Sequence, residues 1–79
     1  MGDYMKEQYA EIYRQLGINI TFYRRQKNLT QMQLADIIDM SLQQVNKIEL
    51  CKVGASLDTV FAIADALEVP VHKLFEFKG

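Results

Sequence analysis

The sequence predicts an all-α domain of five helices, and three observations lead there. Apolar residues recur at spacings of three and four, and no stretch alternates with the period of two that a half-buried strand shows. Thr30 and Ser41, and later Ser56, are helix-capping residues that stand just ahead of such runs. Asn28, Asp39 and the Val69-Pro70 pair fall where those runs stop, and each is suited to ending a helix.

Asp3 is placed to cap a long first helix, along which Met5, Tyr9, Ile12, Tyr13, Leu16, Ile20 and Tyr23 keep helical step. That stripe passes through Gly17. The stripe runs on unbroken, but glycine inside a helix costs about 1 kcal/mol, which makes Gly17 the weak point where a bend or short break would fall. Lys27 puts a cation in the last turn, and Asn28 can take the left-handed cap. Ile18 and Phe22 lie four apart on another face, and the reading favours a widened core face over a partner surface.

The second helix opens at Thr30 with a capping box. Its hydroxyl accepts from the Gln33 N–H while the Gln33 side chain reaches back. Leu34, Ala35 and Ile38 then share one face. Only Asp39-Met40 separates this helix from the next cap, Ser41, so the corner is tight and Asp39 is expected to be left-handed. The third helix, Leu42 to Glu49, turns only Val45 and Ile48 inward and leaves Leu42, Gln43, Asn46 and Lys47 outward.

A loop from Leu50 to Ala55 follows, with Gly54 free to take positive φ. Ser56 caps a fourth helix, with Asp58 in its first turn and Leu57, Val60, Phe61, Ala64 and Leu67 as its apolar face. Val69-Pro70 stops it. Pro70 then suits the start of a last short helix through Val71–Phe75, and Phe77 lies in a tail beyond.

With 79 residues, 49% of them hydrophobic, the chain suits one small domain with a modest core. It holds no run of about 18 apolar residues, so no membrane span is expected. Its first residues lack a signal pattern. The single Cys51 allows no internal disulfide and points to a reducing cytoplasm. One His, one Cys and scattered carboxylates make neither a metal set nor a catalytic triad, so no metal, no cofactor and no enzyme activity are expected. The net charge of −1 argues mildly against nucleic acid, but its distribution matters more. Residues 21–53 hold Arg24, Arg25, Lys27, Lys47 and Lys52 against Asp36, Asp39 and Glu49, so positive charge gathers around the two short helices. A lightly anchored helix whose outer face carries amides and a lysine suits base reading in a DNA groove.

Residues from about Leu16 to Phe75 resemble the lambda-repressor-like helix-turn-helix family, the Cro/repressor or XRE type. The matching stretches are Leu16-Gly17, Tyr23-Arg24, Leu29-Thr-Gln, Leu34-Ala35, Val45, Lys47-Ile48-Glu49, Ser56-Leu57 and Ala64-Asp-Ala-Leu67-Glu-Val69. The resemblance implies a five-helix lambda-repressor-like DNA-binding domain over residues 16–79, with residues 1–15 as an N-terminal helical extension of its first helix. It further implies base contacts from Leu42, Gln43, Gln44 and Lys47. Phosphate contacts would come from Gln31, Ser41, Arg24, Arg25 and Lys52, and Arg24 would form a structural ion pair with Glu49. Leu42 has no hydrogen-bonding group and could only press on a thymine methyl. The sequence departs from the family at Asp39, where Gly is usual, at Leu50-Cys51-Lys52, where Gly commonly follows the Glu, and at Ala55, which replaces a common Pro. The expected function is a sequence-specific transcriptional regulator that binds double-stranded DNA as a homodimer through Val71, Leu74, Phe75 and Phe77. The alternative is an antitoxin-like or regulatory subunit whose main partner is another protein.

Overall fold

The computed structural model describes residues 7–52 and 54–77. It contains four α-helices: α1 (Ala10–Gln26), α2 (Gln31–Ile37), α3 (Leu42–Glu49) and α4 (Leu57–Leu67). Short 3-10 turns, Glu7–Tyr9 and Val71–Phe75, precede and follow them, and the described residues contain no strand. The expected fifth helix is therefore a 3-10 turn. Pro70, extended at φ −60° and ψ 143°, opens it, and five residues are too few to settle into α geometry. Asp3 and Met5 lie outside the described residues.

Buried side chains come from every helix: Leu16 and Ile20 of α1, Leu34 and Ala35 of α2, Val45 and Ile48 of α3, and Val60, Ile63, Ala64 and Leu67 of α4. Leu74 closes this core from the C-terminal turn, which Asn19 pins to α1 by donating to the carbonyls of Leu74 (2.9 Å) and Glu76 (3.2 Å). The α1 stripe is buried only in its middle. Tyr13 and Tyr23 pack partly on the core, whereas Tyr9 and Ile12 face solvent. In α4 the buried stripe is Val60-Ile63-Ala64-Leu67, and Leu57 and Phe61, expected inside, are exposed. The two sets share Val60, Ala64 and Leu67, so the buried face is turned only slightly from the expected one, and periodicity alone does not fix that rotation. Ile18 and Phe22 are likewise exposed, contrary to the expected widened core face.

Gly17 does not break α1, which runs unbroken from Ala10 to Gln26. A Cβ at Gly17 would stand 2.7 Å from the Glu49 carbonyl oxygen, 2.8 Å from Cys51 Sγ and 3.0 Å from the Ile48 carbonyl oxygen. The missing side chain lets the end of α3 rest directly on α1.

All four helices end alike. A left-handed residue, respectively Asn28, Asp39, Cys51 and Glu68 (φ 58° to 63°), turns the chain, and paired backbone bonds of the Schellman kind close each end. For α3 these run from Cys51 N to Ile48 O (3.1 Å) and from Lys52 N to Lys47 O (2.9 Å). Asn28 and Asp39 were expected to be left-handed. After α3 the turn is made by Cys51 and not by Gly54, which is buried beneath the Tyr13 ring, with a Cβ there 3.1 Å from its hydroxyl oxygen.

Candidate nucleic-acid interface

Two capping boxes set the geometry of α2 and α3. Thr30 Oγ1 accepts from Gln33 N at 3.0 Å and Gln33 Oε1 accepts from Thr30 N at 2.8 Å. The same arrangement recurs one helix later. Ser41 Oγ accepts from Gln44 N at 3.1 Å, and Gln44 Oε1 accepts from Ser41 N at 2.9 Å. The second box was legible as Ser-x-x-Gln but not read. It ties the Gln44 carbonyl to the corner, and Gln44 lines a hollow against Ser56 and Thr59 at the start of α4.

On the other flank of α3, Gln31, Leu42, Gln43, Asn46, Lys47 and Lys52 surround an open cleft of about 420 Å³. Gln43 and Lys47, four residues apart, both reach it, and Lys47 also borders the Gln44 hollow. The cleft lining contains no carboxylate but two lysines that pair with no acid among the described residues. The left-handed Cys51 swings the chain so that Lys52 meets the cleft edge. Burial raises the Cys51 thiol above its usual range, and Sγ lies 3.2 Å from the Tyr13 carbonyl oxygen, to which it donates.

Beneath the cleft lies a polar chain. Arg24 Nε donates to Glu49 Oε2 at 2.6 Å, Nη2 donates to Oε1 at 3.1 Å, and Nη1 donates to the Leu29 carbonyl at 2.7 Å. Arg24 and Glu49 are each 7% exposed. Arg24 therefore does not stand free for a phosphate, contrary to that part of the expectation, because its guanidinium is committed inside the protein. Gln31 Nε2 donates to the same Glu49 Oε1 at 2.9 Å, and Asn46 Nδ2 donates to Gln31 Oε1 at 3.3 Å. Asn46, expected on the outer face, is half-buried and joins this chain.

The other expected contacts are dispersed. Ser41 is exposed at the α3 cap. Arg25 sits apart, beside Ile18, Thr21, Phe22 and Gln26 on α1. Lys27 is paired with Glu68. Leu74, expected on a dimer surface, is fully buried because it plugs the core, while Phe75 and Phe77 are exposed and meet edge-on, and Phe77 shares a hollow with Ile18 and Phe22. Val71 is half-buried. Among the described residues no group of His, Cys, Asp and Glu could hold a metal ion, and no helix is long and apolar enough to cross a membrane.

A bundle in which two short capped helices meet at a left-handed corner, the second with its amide and lysine side outward, defines a helix-turn-helix protein. Residues 20–74 match the helix-turn-helix family HTH_3, and the chain belongs to that family of DNA-binding transcriptional regulators. It is 31% identical over 71 residues to the control protein C.SmaI of Serratia marcescens, covering 90% of this chain and 84% of that one. Among solved structures it is similar to the restriction-modification controller protein C.AhdI of Aeromonas hydrophila. The TM-score is 0.77 at 25% identity, over 80% of this chain and 96% of that one. It shares its fold with a hypothetical transcription factor, NHTF, from Neisseria, with a TM-score of 0.81 at 23% identity, over 94% of this chain and 83% of that one.

Proposed function

We propose that this chain is a sequence-specific regulator of the controller type, which binds a near-palindromic site in double-stranded DNA as a homodimer. The observation that carries the reading is the carboxylate-free cleft beside α3, where Gln31, Gln43, Lys47 and Lys52 converge. In this reading α3 enters the major groove. Gln43 bonds adenine through its amide, Lys47 donates to guanine, and Leu42 presses on a thymine methyl. Gln31, Ser41 and Lys52 hold phosphates on either side, aided by the N–H groups at the start of α2. Gln44 keeps its side-chain NH2 for the DNA while its carbonyl oxygen serves the cap. One short helix reads few base pairs, so two copies on half-sites about one turn apart supply the needed discrimination.

The dimer surface is drawn from Val71, Phe75 and Phe77, continued by Ile18 and Phe22. The same exposed apolar patch favours a second reading, a regulatory subunit that meets another protein there. In-vitro selection from random duplex DNA tests the first. A symmetric enriched motif, bound with affinity that falls steeply with salt and weakens for Lys47→Ala, supports it. No retention on DNA at low salt supports the partner protein. Sedimentation as a monomer at high concentration removes the dimer.

A further inference from the structure

Leu42 opens α3 at the cleft and carries no polar side-chain atom, and Gln43 beside it makes no hydrogen bond to Gln31. The partner comes from one turn further on, where Asn46 Nδ2 donates to Gln31 Oε1 at 3.3 Å. The direction of each bond in this chain is forced by chemistry. Arg24 only donates and the Glu49 carboxylate only accepts, so Gln31 must turn its NH2 toward Glu49 and its carbonyl toward Asn46. The amide is thus fixed at both ends. Its second N–H has no partner among the described residues, while Gln31 lines the cleft with Lys47 and Lys52.

We propose that Asn46 is a positioning residue that locks the Gln31 amide so that its second N–H meets a DNA phosphate that lies across the cleft and is shared with Lys52. The inference rests on the DNA-binding reading above. A glutamine held at one end only still samples several rotamers, and ordering it on binding weakens the contact it makes. Asn46 completes that ordering before DNA arrives. It acts through Gln31, so its removal and the removal of Gln31 should not compound.

The test uses the full chain with a fluorescein-labelled, mixed-sequence duplex of about 30 base pairs, because a phosphate contact carries no sequence information. Asn46→Ala and Gln31→Ala are each expected to weaken binding about five- to tenfold, and the double variant no more than Gln31→Ala alone. Losses that multiply in the double variant, or no loss in Asn46→Ala, overturn the proposal. The salt dependence separates positioning from a displaced α3. Gln31 is neutral, so both single variants should keep the wild-type slope of affinity against salt, whereas Lys52→Ala, which removes a phosphate-holding cation, should lower it by about one unit. A lowered slope in Asn46→Ala means that α3 and its lysines have moved, and overturns the positioning role. The free protein supplies a readout that needs no DNA. The side-chain amide resonances of Gln31 should shift and gain mobility in Asn46→Ala, and their constancy overturns the proposal whatever the DNA shows. If the wild-type chain fails to bind the duplex at low salt, the DNA-binding reading is overturned and the phosphate contact with it, while the resonances still report whether Asn46 holds Gln31.

Discussion

Gly17→Ala sets two opposed effects against each other. At an ordinary site inside a helix, replacing glycine with alanine stabilises by about 1 kcal/mol. Here the new methyl would lie 2.7 Å and 3.0 Å from the carbonyl oxygens of Glu49 and Ile48. Those are backbone atoms of α3, with no rotamer to retreat into, so the helix as a whole must move. Overpacking of this kind costs about 1–3 kcal/mol. The shift would also stretch the bonds of Arg24 to Glu49, which join the same two helices at 2.6 Å and 3.1 Å. The steric and polar losses together outweigh the propensity gain, leaving a net destabilisation of about 1–2 kcal/mol. In a domain of this size the melting temperature should fall by about 5–15 °C. Thermal and urea melts followed by circular dichroism measure it. Adding Cys51→Ala removes the sulfur 2.8 Å away but neither carbonyl, so most of the loss should persist. A single variant more stable than wild type would show that α1 and α3 are not in direct backbone contact, and the account of the fold given above would fail there.

Arg24→Ala strands the buried Glu49 carboxylate and should cost about 3 kcal/mol or more in urea unfolding. Replacing both partners, Arg24→Met with Glu49→Leu, should restore much of that stability but not DNA binding, because Gln31 loses its acceptor. Asp39→Gly should stabilise by about 0.5–1 kcal/mol in the same assay, since it relieves a left-handed L-residue at φ 58°. Glu11 accepts from Arg14 and Gln15, which lower its pKa to about 2. Its folded pKa is below the unfolded one, so its small contribution is present above the usual carboxylate range and disappears as pH falls toward 2. Carboxyl NMR titration should show Glu11 ionised when most other glutamates are protonated, and an ordinary midpoint would remove the Arg14 contact.

What the sequence disclosed was mostly local. Thr30, Ser41 and Ser56 opened their helices because a cap acts within three residues of itself, and Asn28 and Asp39 could be read as left-handed for the same reason. The misreadings concern contacts between distant segments. Gly17 looked like a weak point because the atoms that require it, the carbonyls of Ile48 and Glu49, come thirty residues later. Leu74 looked like surface because Val71, Leu74 and Phe75 are all apolar and a five-residue turn is too short for spacing to show which of them is covered. Leu57 and Phe61 are as apolar as their buried neighbours, and only the docking of α4 decides which side is covered. At the interface, the outward set of α3 was legible from its amides and lysine. The inward tilt of Asn46 was not, since nothing local distinguishes an asparagine bonded to Gln31 from a solvated one.

The buried ion pair has a consequence for charge as well as for shape. Glu49 lies directly behind the surface that would approach a phosphate, and an unpaired carboxylate there would oppose binding. At an effective dielectric near 20, two like charges about 4 Å apart repel by about 4 kcal/mol and the repulsion falls only in proportion to distance, enough to offset one good phosphate contact. Arg24 neutralises that acid from the far side, and its burial keeps it from being drawn away by solvent. On the proposed DNA-binding reading, the arginine favours DNA without touching it. It also fits a chain of net charge −1 that presents a cationic cleft: the lining holds Lys47 and Lys52 and no carboxylate, and Glu49 behind it is answered by Arg24.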